Sequence, residues 1–181
     1  YRVYSFDGPS HGFSSKGSTS LFEFIELVNV LIEKYAVKNL ISHSFGGVAT
    51  RYVLSANQSL HIDKYLLFTT PDKFSQRIDF VAESVGVSPK VKRKLIARLE
   101  KELEMKVPEL NVSDWVKSVN VKDALILHDK NDKVIPIDQS LNVHRNWKNS
   151  TFETVEGTGH FRILRTKSVL DRAIEFFEES K

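Results

Sequence analysis

The sequence predicts an α/β fold: a mostly parallel sheet with helices on both faces. Three observations carry this. Short β-rich runs bounded by turn residues recur along the chain, helical periodicities separate most of them, and 41% of the 181 residues are hydrophobic, enough for one ordinary core. Taken in order, the strand signals are Arg2–Phe6, Asn39–His43, Lys64–Thr69, Asp123–His128 and Thr151–Val155. The first helix begins after Ser20, whose hydroxyl can cap an early amide while Glu23 reaches back; Leu21, Phe24, Ile25, Val28, Leu31, Ile32 and Tyr35 then fall on one face. A second helix runs from about Phe45 to Ser55. Others follow Ser88-Pro89, Pro136 and Thr166, the last with Val169, Leu170, Ala173, Ile174 and Phe177 facing inward. Strands alternating with helices imply parallel pairing.

One connection breaks the rhythm. Thr70 to Lys122 spans 53 residues where one crossover helix would suffice, so residues 70–122 read as a mostly helical insertion on a core of residues 1–69 and 123–181. Its helix after Pro89 carries Lys90, Lys92, Arg93 and Lys94 near the start and Glu100, Glu102 and Glu104 near the end, opposite to what the helix dipole favours. A solvated face is the simpler reading of that basic cluster. Phe74, Ile78, Phe80, Val81 and Val85 line either an acyl pocket or the insertion's own core.

Composition narrows the function classes. The net charge is +3 with both signs interspersed, which gives no reason to expect nucleic acid. The absence of cysteine excludes a disulfide framework, a thiolate zinc site and a cysteine nucleophile. No apolar run is long enough to span a bilayer, and the six histidines show no paired metal-ligand spacing; no metal or cofactor is expected. The expected compartment is the cytoplasm.

Chemistry concentrates at Asn39–Gly47, a buried-type strand, a sharp turn and a helix start, with Ser44 at the apex. A serine on such a turn projects its hydroxyl outward, and small residues are needed two positions before and after it, which Ser42 and Gly46 supply. The helix from Phe45 aims unpaired amides at any negative charge developing beside Ser44.

Here the chain resembles the serine-nucleophile, esterase- and lipase-like branch of the α/β-hydrolase superfamily. The usual elbow is Gly-x-Ser-x-Gly; this chain reads Ser42-His43-Ser44-Phe45-Gly46, with serine for the first glycine. Asp7-Gly8-Pro9-Ser10-His11-Gly12-Phe13-Ser14 is similar to the family's loop after an early strand, so His11 reads as a turn residue. His128-Asp129-Lys130-Asn131-Asp132, followed by Val134-Ile135-Pro136, resembles the His-Gly-x-x-Asp loop that delivers the acid; the match implies Asp132 as the acid and puts Asp129 at the glycine position. Gly157-Thr158-Gly159-His160 resembles the histidine loop. Ser44, Asp132 and His160 stand in the family's order, 88 and 28 residues apart. The resemblance implies an α/β-hydrolase fold in which the insertion serves as a helical lid.

A serine hydroxyl is a poor nucleophile until a neutral imidazole takes its proton, so His160 reads as base and then acid, with Asp132 fixing its tautomer. The amide of Phe45 is the expected oxyanion donor. Asp72, ending the preceding strand, is the alternative acid, and the motif match favours Asp132. His43 and His128 read as structural, His61 and His144 as surface or helix residues. The leading expectation is hydrolysis of a small-molecule carboxylic ester. Thioester, acyl-transfer, peptide, carbon-carbon or perhydrolase chemistry on the same triad is the alternative, as is a non-catalytic binding module.

One expectation concerns topology. The family's sheet order is 1-2-4-3-5-6-7-8; if Arg2–Phe6 is the fourth strand and Asn39–His43 the fifth, no residues here form the third, which would lie between them. The chain opens with Tyr1 and its only methionine is Met105. The expectation is therefore an incomplete catalytic unit whose preceding residues hold that strand and the second oxyanion donor. The competing outcomes are that the first strand moves across to pair with Asn39–His43, or that another chain fills the slot.

Overall fold

The computed structural model describes residues 1–179. The chain runs through α1 (Leu21–Lys34), β1 (Asn39–His43), α2 (Phe45–Ala56), β2 (Ile62–Phe68), α3 (Phe74–Ser84), α4 (Pro89–Leu103), α5 (Val112–Trp115), β3 (Val121–Asp129), α6 (Ile137–Asn146), β4 (Ser150–Val155), α7 (Gly159–Arg162) and α8 (Lys167–Glu178). The strands form one sheet in the order β1-β2-β3-β4, every neighbouring pair parallel. All four C-terminal strand ends therefore lie along one edge.

Alternation along the strands builds two core layers. Tyr65 and Leu67 of β2, with Ala124 and Ile126 of β3, pack on one side with Val28 and Ile32 of α1, Val48 and Leu54 of α2, and Val116 and Trp147 at the C-terminal caps of α5 and α6. Their neighbours Leu66, Phe68, Leu125 and Leu127 face Ile163 and Val169, Ala173 and Phe176 of α8 on the other. Each fully buried leucine in these layers stabilises the fold by about 1.5–3 kcal/mol. Leu170 and Ile174, expected inward, are 40% and 55% exposed. The buried stripe of α8 is narrower than the apolar pattern: the expected Val169 and Ala173 are buried, joined by Phe176, and Phe177 is half-buried.

The local signals at the helix starts are met. The amide of Glu23 donates to Ser20 Oγ at 3.3 Å and the amide of Ser20 donates to Glu23 Oε2 at 3.1 Å, closing a capping box at α1. Ser88 Oγ caps α4 at the Val91 amide. The inverted charges of α4 have partners off the dipole: Lys92 pairs with Asp79 of α3 at 2.6 Å, and Glu100 accepts from Lys106 Nζ and from the Val107 amide, fixing the chain that leaves the helix.

The expected strand at Arg2–Phe6 is not one. No ladder pairs these residues, and Tyr1 and Val3 are 88% and 81% exposed. Among the described residues, side chains hold the segment: Tyr1 donates its hydroxyl proton to the Phe177 carbonyl, Tyr4 stacks on Tyr35 at 4.1 Å, and Phe6 leans on Phe24. A β-rich pattern supplies propensity, but a strand needs a partner ladder, and this segment does not move across to supply or receive one. β1 is thus an edge strand, with Ile41 59% exposed.

Within residues 70–122 the backbone closes a neck. Lys73 and Asn111 form an antiparallel bridge, Phe74 N donates to Leu110 O, and Val112 N donates to Asp72 O. Beyond the neck, Ile78, Val107 and Leu110 form a small core with Ile96, Leu99 and Leu103, whereas Val112 and Val116 belong to the main core. Phe74 joins both cores, while Phe80, Val81 and Val85 are exposed. The seam against Val48, Ala49 and Tyr52 of α2 leaves an apolar void of about 10 Å³, room for a water but not for an acyl chain. No helix among the described residues is long and apolar enough to cross a membrane.

Candidate active site

The turn from β1 into α2 is held from β2. The amide of Ser44 donates to the carbonyls of Phe68 at 3.1 Å and Thr69 at 2.9 Å. Ser44 takes φ 50° and Thr69 φ 43°, two non-glycine residues in the left-handed region at adjacent strand ends. Such conformations cost of order 1–3 kcal/mol each and persist where the surroundings over-determine them. Ser42, in place of the usual glycine, shares a 2.6 Å hydrogen bond between its hydroxyl and that of buried Tyr65.

The steric demand at this turn sits one residue later than the motif suggested. A Cβ on Gly46 would meet nothing within 4 Å, whereas one on Gly47 would stand 2.7 Å from Leu67 Cδ1, 3.1 Å from Arg51 Nη2 and 3.2 Å from Ser42 Oγ. Gly47 lets α2 lie directly on the sheet. Beneath it Arg51 is fully buried, donates to Thr70 Oγ1, and is lowered to about 10 by burial against the opposing pull of Tyr65 and Asp72.

The loop after β3 holds Asp132. Its Oδ1 accepts from the amides of Val134 at 2.7 Å and Ile135 at 2.9 Å, and its Oδ2 accepts from His160 Nδ1 at 2.8 Å. Burial pushes this carboxyl up, but the bonds from His160 and the two amides outweigh it and bring it from 3.8 to about 2. Because Nδ1 carries the proton given to Asp132, Nε2 is the free lone pair, and it faces Ser44 Oγ at 3.2 Å. The structure thus brings Ser44, Asp132 and His160 together from three strand ends.

Two further histidines adjoin them, and the alternative acid lies apart. His43 is half-buried; its ring lies 4.6 Å from that of His160 and its Nε2–H donates to the His160 carbonyl at 2.9 Å. Burial first, then the neighbouring His160, holds it below its ordinary value. His128 is fully buried, gives Nε2–H to the Ile135 carbonyl and meets Ser140 Oγ through Nδ1 at 2.6 Å, bracing the acid loop against α6; burial holds it down too. Asp72 does not reach His160. Its oxygens accept from the Ser113 amide at 2.7 Å and Asn142 Nδ2 at 2.5 Å.

The remaining expected positions lie elsewhere. His11 Nδ1 sits on the Pro9 carbonyl in the self-bonded loop that begins at Asp7, His61 meets Asn120, and His144 meets Ser150. The Phe45 amide opens α2, where it has no acceptor on its own helix. Phe161, 69% exposed, sets its ring 4.8 Å from that of His160, and Phe45, next to Ser44, is 45% exposed. Among the described residues no three His, Cys, Asp or Glu side chains converge on a possible metal position.

Sequence comparison matches no family model and no curated protein. The chain superposes on a putative non-heme bromoperoxidase, BpoC, from Mycobacterium tuberculosis H37Rv with TM-score 0.70 at 13% identity, covering 96% of this chain and 80% of that one. It superposes on MGS-M2, an α/β-hydrolase enzyme from a Medee basin deep-sea metagenome library, with TM-score 0.69 at 16% identity, covering 97% and 78%. Est816, described as degrading N-acyl homoserine lactones, matches with TM-score 0.67 at 16% identity over 94% and 80%. The chain has the α/β-hydrolase fold.

Proposed function

We propose that this α/β-hydrolase-fold protein is a serine hydrolase that cleaves a carboxylic ester or a related acyl substrate through an acyl-enzyme. The observation that carries the reading is the continuous line Asp132 Oδ2, His160 Nδ1, His160 Nε2, Ser44 Oγ, with links of 2.8 and 3.2 Å. Three residues distant in sequence meet so that His160 can take the Ser44 proton through Nε2 while Asp132, itself never protonated, holds Nδ1–H.

His160 Nε2 takes the Ser44 proton as Oγ attacks the acyl carbon, and Asp132, ionised throughout the neutral range, stabilises the imidazolium and fixes its tautomer. The Phe45 amide, at the positive end of α2, donates to the oxyanion. The imidazolium then protonates the leaving oxygen, and water, deprotonated by His160, releases the acid. An apolar acyl or alcohol group suits the exposed rings of Phe45, beside Ser44, and Phe161, beside His160. The named neighbours include a bromoperoxidase and a lactone-degrading enzyme, so the fold supports a hydrolase while the ester substrate rests on the site itself. We assign residues 70–122 the part of a lid.

Release of p-nitrophenol from short-chain p-nitrophenyl esters tests the reading. Wild-type protein is expected to turn over and Ser44→Ala to fall to the buffer rate; equal rates would contradict it, and a folded wild type inert to every ester would favour the binding-module alternative.

A further inference from the structure

Asp129 stands where the resembling acid-loop motif carries glycine, and the mechanism above does not use it. It ends β3, is fully buried, and has no cation within ion-pair distance among the described residues. Its carboxylate instead accepts three hydrogen bonds from two loops. Oδ1 accepts from the Asn131 amide at 2.8 Å, within the loop that carries Asp132. Oδ2 accepts from the Thr158 amide at 2.6 Å and the Thr158 hydroxyl at 2.8 Å, within the loop that carries His160.

What makes these bonds consequential is the backbone around Thr158. Gly157 takes φ 77° and Gly159 φ 60°, and a Cβ at either would meet open space, so both are glycine for conformation and not for room. Glycines on each side leave a loop with little stiffness of its own. Thr158 is the residue between them, and His160 follows two positions later. A buried carboxylate is costly unless its donors are held in place, so the pairing orders both partners.

We infer that Asp129 is a positioning residue that locks the acid-bearing and histidine-bearing loops into one unit, with Thr158 as its counterpart. The inference rests on the triad reading for its kinetic consequence, though not for its geometry. Lys130 and Glu156 also join these loops, at 2.6 Å, but with side chains 51% and 66% exposed, where an ion pair contributes little.

The test compares Asp129→Gly, Thr158→Val, the double variant and Lys130→Ala in the full chain, by two readouts. The first is steady-state hydrolysis of p-nitrophenyl acetate. Asp129→Gly is expected to lower kcat by about tenfold to a hundredfold with KM within about twofold, the cost of a misplaced imidazole. Thr158→Val loses less, the double variant is no worse than Asp129→Gly alone, and Lys130→Ala matches wild type. The second is the far-downfield proton resonance of the His160 Nδ1–H···Asp132 bond, which needs no turnover. It is expected sharp in wild type and Lys130→Ala, and broadened by exchange in Asp129→Gly and Thr158→Val. A folded Asp129→Gly with unchanged kcat and an intact resonance would overturn the inference, as would additive effects of the two substitutions. If wild type hydrolyses no ester, the functional reading fails and the resonance alone decides the clamp; if Asp129→Gly does not fold, the Thr158→Val resonance decides it.

Discussion

Asp132 and His160 lie 28 residues apart in the chain, yet Oδ2 of one accepts from Nδ1 of the other at 2.8 Å, leaving Nε2 to face Ser44. The parallel sheet makes this possible, because β3 and β4 end at the same edge and each hands its following loop to the neighbour. Asp132→Asn is therefore expected to lower kcat by about 10⁴-fold through the wrong tautomer. Asp72→Asn, which touches Ser113 and Asn142 instead, is expected to leave kcat near wild type and lower stability by about 1.5–3 kcal/mol, read from denaturant melts.

The same carboxylate sets a pH dependence of stability. Its folded value of about 2 lies below its ordinary 3.8, so its contribution is complete above about 3.8 and is lost as pH falls through about 2. The difference in melting temperature between wild type and Asp132→Asn should hold constant from neutral pH to about 4 and shrink below it. A difference that grows on acidification would contradict the assignment.

The two glycines of the elbow should part company. Gly47→Ala forces a methyl to within 2.7 Å of Leu67, and is expected to destabilise by about 1–3 kcal/mol and reduce turnover by shifting α2. Gly46→Ala faces open space and is expected to be near neutral in stability. Equal losses in chemical denaturation would contradict the packing account.

The neck at Lys73 and Asn111 makes a prediction about the insertion. Replacing residues 74–110 with a short glycine linker should leave a folded core, keep Ser44 reactive toward a small probe and alter ester chain-length preference. Replacing residues 70–122 removes Val112 and Val116 from the main core and is expected to abolish cooperative unfolding.

Much of this was legible in the sequence where one signal sufficed. β1 occupies Asn39–His43 as its turn-bounded β run predicts, and Ser20 with Glu23 caps α1 through the bonds their spacing allows. The elbow, acid loop and histidine loop were readable because each follows a strand whose pattern is strong. What escaped depends on partners distant in sequence. Arg2–Phe6 has strand propensity but no ladder, and only the fold shows that. Gly47, not Gly46, meets the sheet because contact is set by Leu67 across the layer. Asp129 read as a departure from a motif, and its donor, Thr158, lies 29 residues on. A polar residue substituted for a motif glycine beside a Gly-x-Gly loop was the available signal.

Active-site labelling tests directly whether Ser44 is the nucleophile. The full-length protein would be treated with a fluorophosphonate, digested, and the modified peptide located by mass spectrometry. One adduct is expected, on Ser44 Oγ, formed rapidly in wild type, slowly in Asp132→Asn and not at all after His160→Ala or denaturation. An adduct on another serine, or none on protein shown to be folded, would contradict it.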